Sequence, residues 1–325
     1  MPGFTTHYIF GMKAYNDMPF TPLKHTIAKY RWLYQLGLQG PDMFFYNIPI
    51  LRHRDYRNVG SYMHEHKVNA FFECCLRRIG TIRSRQQQEE AISYLAGFMN
   101  HYIADSICHP YVYGRIGYPV DAPTSMHHGM HAHLENELDA ILLWKYKKKK
   151  PSEFNQTATI CLNGQEIQFI SHFLASCINE TYYPITYRNN FQVTPAMVHR
   201  SIWALRFGCR TLSDKTGKKK FGIAQVESIF VNHPVASAKM VTDSVTDYRS
   251  SCNLNHEAWG NPWDPTRVST ASFVDLFHET LDKCSRVYAL LNSAVTDNVP
   301  LDKQDLSPLL TELGNESYHS GLPVD

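Results

Sequence analysis

Apolar residues along most of this chain recur every three or four positions, the spacing of one face of an α-helix. Residues 85–108, RQQQEEAISYLAGFMNHYIADSIC, carry Ile92, Leu95, Phe98, Met99, Tyr102 and Ile103 on such a stripe. The same period predicts helices near 22–37, 60–79, 131–147, 167–182, 195–212, 224–247 and 272–293. The last opens with Ser272 as N-cap and Asp275 in the first turn, which satisfies and complements a helix N-terminus. One stretch has another rhythm. In TATICLNGQEIQF, residues 157–169, two short β-prone runs flank Asn163-Gly164, a dipeptide suited to a type I′ turn, and together they predict a small β-hairpin.

Glycine, proline and asparagine predict loops at 38–59, 110–125, 213–223 and 253–268, with Pro110 ending the long helix. Prolines and acidic residues near the end predict a loosely packed tail over 301–325. No repeat or long linker divides the rest. The expected architecture is all-α: a single multi-helical domain over 1–300, with the hairpin as an insertion at 157–169.

Composition adds bounds. A chain of 325 residues, 43% hydrophobic and 19% charged, can bury a real core. A formal charge of +2 creates no field that singles out nucleic acid or an acidic membrane. The start has no secretory signal pattern, and no apolar run approaches the roughly 18 residues of a membrane span, so a cytoplasmic location is expected. The eight cysteines include no C-x-x-C pair and read as reduced core thiols. Seventeen histidines change the picture, because histidine is the commonest metal ligand.

In HYIADSICH, His101, Asp105 and His109 stand four and four apart, so one side of a helix presents imidazole, carboxylate and imidazole. In HHGMHAHLENELD, residues 127–139, His131 and Glu135 repeat that spacing, and Asp139 follows one turn later as a possible acceptor from a ligating ring. His127/His131 and His133/Glu137 are competing registers. Imidazole nitrogen and carboxylate oxygen at this spacing suit Zn²⁺. Phe44, Phe45, Tyr46, Tyr111, Tyr113 and Tyr118 are candidates to line a cleft beside it. The tryptophans of NHEAWGNPWDP are expected to pack down, with His256 structural. The lysines of WKYKKKK, 144–150, complement a helix C-terminus; with TGKKK, 216–220, they offer attraction to anionic lipid or nucleic acid as the alternative.

Five separated pieces have a family look: PGFTTHYIFG at the N-terminus, LQGPD at 38–42, VGSYMHEHK at 59–67, YLAGFMNHYIADSICHP at 94–110 and HAHLENELD at 131–139. In their order and approximate spacing the chain resembles the bacterial zinc-dependent phospholipase C family, which shares a fold with the fungal single-strand-specific nucleases. The resemblance implies two or three Zn²⁺ ions in a helical cup, with His101 and Asp105 as the central pair and Asp105 bridging two metals. His109, His131 and Glu135 would hold a second zinc, and Asp42 and His64 would complete the first, His66 being the alternative to His64. His7 would serve a third, held in secreted members also by the free N-terminal amine. Those members begin with tryptophan and have a slightly longer gap after the central aspartate, whereas this chain begins Met-Pro-Gly-Phe-Thr-Thr-His.

Clustered zinc would bring a water pKa toward about 7 and stabilise both oxygens of an in-line displacement. Asp42 would orient or deprotonate that water. The implied reaction is phosphodiester hydrolysis on a phospholipid headgroup or other phosphodiester substrate, with a peripheral membrane contact and no obligate protein partner. A nuclease or other phosphoesterase on the same cluster, and a zinc-binding protein without turnover, are the alternatives.

Overall fold

The computed structural model of the chain describes residues 3–47, 58–182, 192–214, 216–230 and 237–325. The helices are α1 (Phe4–Asp17), α2 (Pro22–Lys29), α3 (Arg31–Gly37), α4 (Val59–Glu65), α5 (Val68–Thr81), α6 (Arg85–Arg115) and α7 (Ser125–Lys147). Then come α8 (Gly164–Thr181), α9 (Pro195–Leu212), α10 (Lys218–Phe230), the single turn α11 (Tyr248–Ser251), α12 (Phe273–Thr296) and α13 (Ser307–Leu313). A 3-10 segment, Gly40–Tyr46, follows α3, and β1 (Trp259–Asn261) pairs antiparallel with β2 (Asp264–Ser269). The described residues are all-α, as the periodicity predicts, with one small hairpin at 259–269.

The long helix α6 is the axis of the fold, buried from Ala91 through Val112 on most of its surface. It meets α3 backbone to backbone. A Cβ on Gly37 would stand 2.1 Å from the Tyr94 carbonyl, and one on Gly97 would stand 2.1 Å from that of Tyr34. Only a glycine pair lets these helices approach so closely. The contact fixes the end of α3, and hence the 3-10 segment, over the middle of α6. Helices α1 and α12 and strand β1 pack around the same axis. Among the described residues, no helix is long and apolar enough to cross a membrane.

Several expected boundaries shift. No hairpin forms at 157–169: the Asn163 side chain accepts from the Glu166 amide at 2.9 Å, and Glu166 accepts from the Asn163 amide at 2.8 Å. This reciprocal capping box starts α8 at Gly164. The hairpin lies instead within the 253–268 loop, turned where Asn261 Oδ1 accepts from the Trp263 amide at 3.0 Å. Pro110 does not end α6, which runs on to Arg115. Its missing N–H leaves the Ser106 carbonyl free of the usual helical partner, and Gly321 of the C-terminal segment packs against that carbonyl. The helix expected at 224–247 is α10, ending at Phe230, with a 3-10 turn at Ser237–Lys239. The helix at 60–79 is broken at Lys67, whose φ of 49° is left-handed.

The end of the chain does not pack loosely. Leu301, Leu306, Leu309, Leu313 and Tyr318 are buried, and the Lys67 amide donates to the Asp325 carbonyl at 3.0 Å. The eight cysteines are free thiols, six of them buried and Cys161 exposed. Ser272 caps α12 as expected, its hydroxyl accepting from the Asp275 amide at 3.2 Å.

Candidate metal centre

Five elements converge on one buried cup. α1 brings His7, the 3-10 segment Asp42, α4 His64, α6 His101, Asp105 and His109, and α7 His131 and Glu135. Asp42, His64, His101 and Asp105 place one ligand atom each within 4.8 Å of one another, and His109, His131 and Glu135 form a second such group. Asp105 stands between them. Its Oδ2 is 3.1 Å from His101 Nε2 and 3.7 Å from His64 Nε2. Its Oδ1 is 3.1 Å from His7 Nε2 and 3.6 Å from His109 Nδ1. Asp42 Oδ1 lies 3.3 Å from His64 Nε2 and 3.7 Å from His101 Nε2. In the second group His131 Nε2 and Glu135 Oε1 approach to 2.6 Å, with His109 Nε2 at 3.7 Å from the same oxygen.

Around Asp105 the donor atoms are close but not hydrogen-bonded. His7 Nδ1 and Nε2, the Nε2 atoms of His64, His101 and His109, both Asp105 oxygens and Asp42 Oδ1 are buried without a hydrogen bond. Leaving one such group unsatisfied costs about 1–3 kcal/mol, so a cluster of them calls for a common partner. Donor atoms aimed at shared points rather than at each other are the arrangement a cation satisfies.

The opposite ring nitrogens are engaged. His64 Nδ1 donates to the Gly60 carbonyl at 2.7 Å, His101 Nδ1 to Leu38 at 3.1 Å and His109 Nδ1 to Tyr318 at 2.8 Å. Each carbonyl fixes the tautomer that leaves a lone pair on Nε2, facing the cup. Burial alone would raise the Asp105 carboxyl, but His101 and His7 outweigh it and hold it well below the usual range. Burial and the neighbouring His101 push His7 down, while His101 itself is raised because Asp105 and Asp42 overcome its burial. Burial lowers His131, and Glu135 is held down by His131 against its own burial.

Local sequence explains this placement. At Gly40, φ is +45° and a Cβ would stand 2.2 Å from His101 Cδ2, so only glycine admits the His101 ring beneath the 3-10 segment. The His7 ring stacks on His101 with centroids 4.0 Å apart. Spacing predicts that Asp139 accepts from a ligating imidazole, and the structure gives it other partners. It receives the amides of Thr5 at 3.1 Å and Thr6 at 2.7 Å, anchoring the first turn of α1 and so aiming His7.

Of the two histidines left open, His64 enters the cup; His66 stacks on Tyr62 and meets Asp325 outside it. The competing pairs are structural. Glu137 accepts from the Thr246 amide at 2.6 Å and from Ser251 Oγ, and His127 caps α7 through Thr124. His256 Nδ1 donates to the Thr270 carbonyl at 3.0 Å, away from the cup. Met1 and Pro2, where an N-terminal ligand would come from, lie outside the described residues.

Aromatic rings line the cup's opening. Tyr113 packs on His131 at 4.5 Å and His109 at 5.6 Å, and Trp263 meets Tyr113 at 4.9 Å and Tyr118 at 6.0 Å. Phe45 faces His64 at 5.4 Å. Tyr111 turns away, bonding the Ser251 carbonyl, Phe44 is buried in the core, and Tyr46 packs against Gly208 of α9. Two residues missed in the sequence complete the wall. Tyr318 lies 4.7 Å from the His64 ring and 5.9 Å from His101, and His319 stacks on His64 at 4.9 Å. Burial lowers the His319 imidazole to about 4. No spacing in the sequence marks either residue.

A family model described as zinc dependent phospholipase C matches residues 6–186, more than half of the chain and all of the cup's ligand atoms. No curated protein and no solved structure gives a match.

Proposed function

The chain belongs to the zinc-dependent phospholipase C family, hydrolases of phosphoric esters, and from that premise we propose that its cup binds zinc and cleaves a phospholipid headgroup. The carrying observation is Asp105, one fully buried carboxylate whose Oδ2 faces His101 and His64 and whose Oδ1 faces His7, with the His109 ring alongside. Asp42, His64, His101 and Asp105 would hold one ion, and His109, His131 and Glu135 with Asp105 a second; His7 is positioned for a third. The donor set fits. Imidazoles with carbonyl-fixed tautomers, joined by carboxylates, suit zinc rather than the all-oxygen shells of magnesium or calcium.

Zinc in such a site supplies Lewis acidity toward the phosphoryl oxygens and water activated near neutral pH. The residues do the rest. Asp42, slightly exposed where His64, His101 and Asp105 are fully buried, would orient the attacking water and accept its proton. Asp105 keeps the two groups in register. The rings of Tyr113, Tyr118 and Trp263 offer apolar walls to the part of the substrate that does not react. A phospholipid, with an anionic diester beside a long apolar body, matches that pairing of cup and rim.

The test is zinc content of the purified protein together with chelator-sensitive turnover of bis(p-nitrophenyl) phosphate. Phosphatidylcholine is then compared with single-stranded DNA. Less than one zinc per chain would sink the proposal, and preferential cleavage of DNA would move the substrate to the nuclease class.

A further inference from the structure

Helix α9 has two unlike faces. The inner one packs on the 3-10 segment that carries Asp42: Asn47 Nδ2 donates to Ser201 Oγ at 3.0 Å, and a Cβ on Gly208 would stand 2.3 Å from the Tyr46 ring. The outer one carries Arg200, Trp203, Phe207 and Arg210 in one stripe, with His199 and Arg206 beside it. Trp203 is 62% exposed and Phe207 53%, their rings stacked at 5.3 Å and 8°. Helix α10 continues the surface: Thr211 and Leu212 at the end of α9 line one shallow cavity with Lys218, Lys219 and Ile223. Beyond it Phe221, Val226 and Ile229 are exposed.

Single exposed apolar residues need no explanation, but five large ones on two adjoining helices do. Their charged neighbours are mostly cations; Glu227, beside Val226 on α10, accepts from the Ser237 amide at 3.2 Å. Arg200, Arg206, Arg210, Lys218, Lys219 and Lys220 form no ion pair among the described residues. The acid between them, Asp214, is buried and accepts from the Lys220 amide at 2.8 Å. Aromatic rings ringed by unneutralised cations are what an interfacial helix presents to lipid, with rings at the level of the headgroups and cations on phosphates.

We propose that the outer face of α9, continued by α10, docks the protein on a bilayer containing anionic lipid. The choice of a bilayer as occupant rests on the phospholipid reading above, and the charge complementarity rests on the surface itself. Docked there, the protein is held by the helix whose inner face supports the Asp42 segment, so the membrane and the cup are one helix apart.

The experiment sediments the full-length, zinc-loaded protein with vesicles of phosphatidylcholine alone and of phosphatidylcholine mixed with phosphatidylglycerol. The mixed vesicles should bind it roughly tenfold or more tightly, with the difference shrinking in high salt. Trp203→Ala with Phe207→Ala, and separately Arg200→Glu with Arg210→Glu, should each weaken binding about tenfold or more. Melting temperature and turnover of soluble bis(p-nitrophenyl) phosphate should stay at wild-type values in both. Wild-type vesicle affinity in both variants, or no vesicle binding by the wild type, overturns the proposal. So does a wild-type dimer that the aromatic variant dissolves, which would assign the face to a second copy. Vesicle binding lost in the variants, in a protein that turns over no soluble diester, would leave the docking surface standing and remove the phosphodiesterase.

Discussion

The main-chain carbonyl of Tyr318 accepts the Nδ1 hydrogen of His109 at 2.8 Å, joining the C-terminal segment to the last quarter of the central helix. The Tyr318 amide in turn donates to the His64 carbonyl at 2.9 Å. The C-terminal segment is therefore part of the cup. It is pinned at Gly321, where φ is +60° and a Cβ would stand 2.5 Å from the Ser106 carbonyl. Gly321→Ala should lift the segment from α6, costing roughly 1–2 kcal/mol from the left-handed backbone alone. Zinc affinity of the His109 group should fall about 10–100-fold, the usual cost of losing an imidazole's outer partner. Competitive zinc titration alongside a melt checks both. A lowered melting temperature with unchanged zinc affinity would show that the Tyr318 carbonyl does not tune His109.

Asp105 and Glu135 separate two kinds of ligand. Asp105 belongs to the first group and its Oδ1 lies 3.6 Å from the His109 ring of the second, whereas Glu135 faces the second alone. Asp105→Asn should therefore deplete the metal of both, whereas Glu135→Gln should remove only the ion beside His109 and His131. Elemental analysis of the two variants against wild type decides the matter. Equal zinc loss in both would refute a bridging Asp105.

Much of this centre is legible in the sequence. His101, Asp105 and His109 were legible because four-residue spacing on a helix is a geometric statement in itself. Asp42, His64 and His7 sit on three other elements, and only the ordered resemblance joined them to that stripe. The Tyr318 contribution could not be seen, since every residue owns a carbonyl and only the fold decides which one reaches His109. Spacing alone misassigns Asp139, because a carboxylate one turn past a ligand and a carboxylate anchoring another helix look alike in sequence. Asn163-Gly164 failed for a similar reason: asparagine suits turns and helix caps equally, and Glu166 three residues on settles it as a cap.

Gly40 gives a sharper mutational test than any ligand. Gly40→Ala places a methyl 2.2 Å from His101 Cδ2 on a backbone with φ of +45°. The left-handed backbone contributes roughly 1–2 kcal/mol of destabilisation, and overpacking a further 1–3 kcal/mol. Because the clash falls on a ligating ring, zinc content should drop more than global stability does. Wild-type zinc content in a folded Gly40→Ala protein would contradict this placement of His101.

Asp139 predicts a pH signature. Burial raises its carboxyl from the usual 3.8 to about 6, although the Thr5 and Thr6 amides pull the other way. A folded-state pKa above the unfolded one means that the group's favourable contribution is complete below about pH 4. It is lost as the pH rises through about 6, because the folded state must then ionise a buried acid. The total is on the order of 3 kcal/mol. Asp139→Asn cannot titrate and lacks this dependence. The stability of wild type minus that of Asp139→Asn, from denaturant melts at pH 4.5 and pH 7, should therefore fall with rising pH. A difference that grows with pH would show that Asp139 is ionised in the folded protein and holds α1, and with it His7, as a charged anchor.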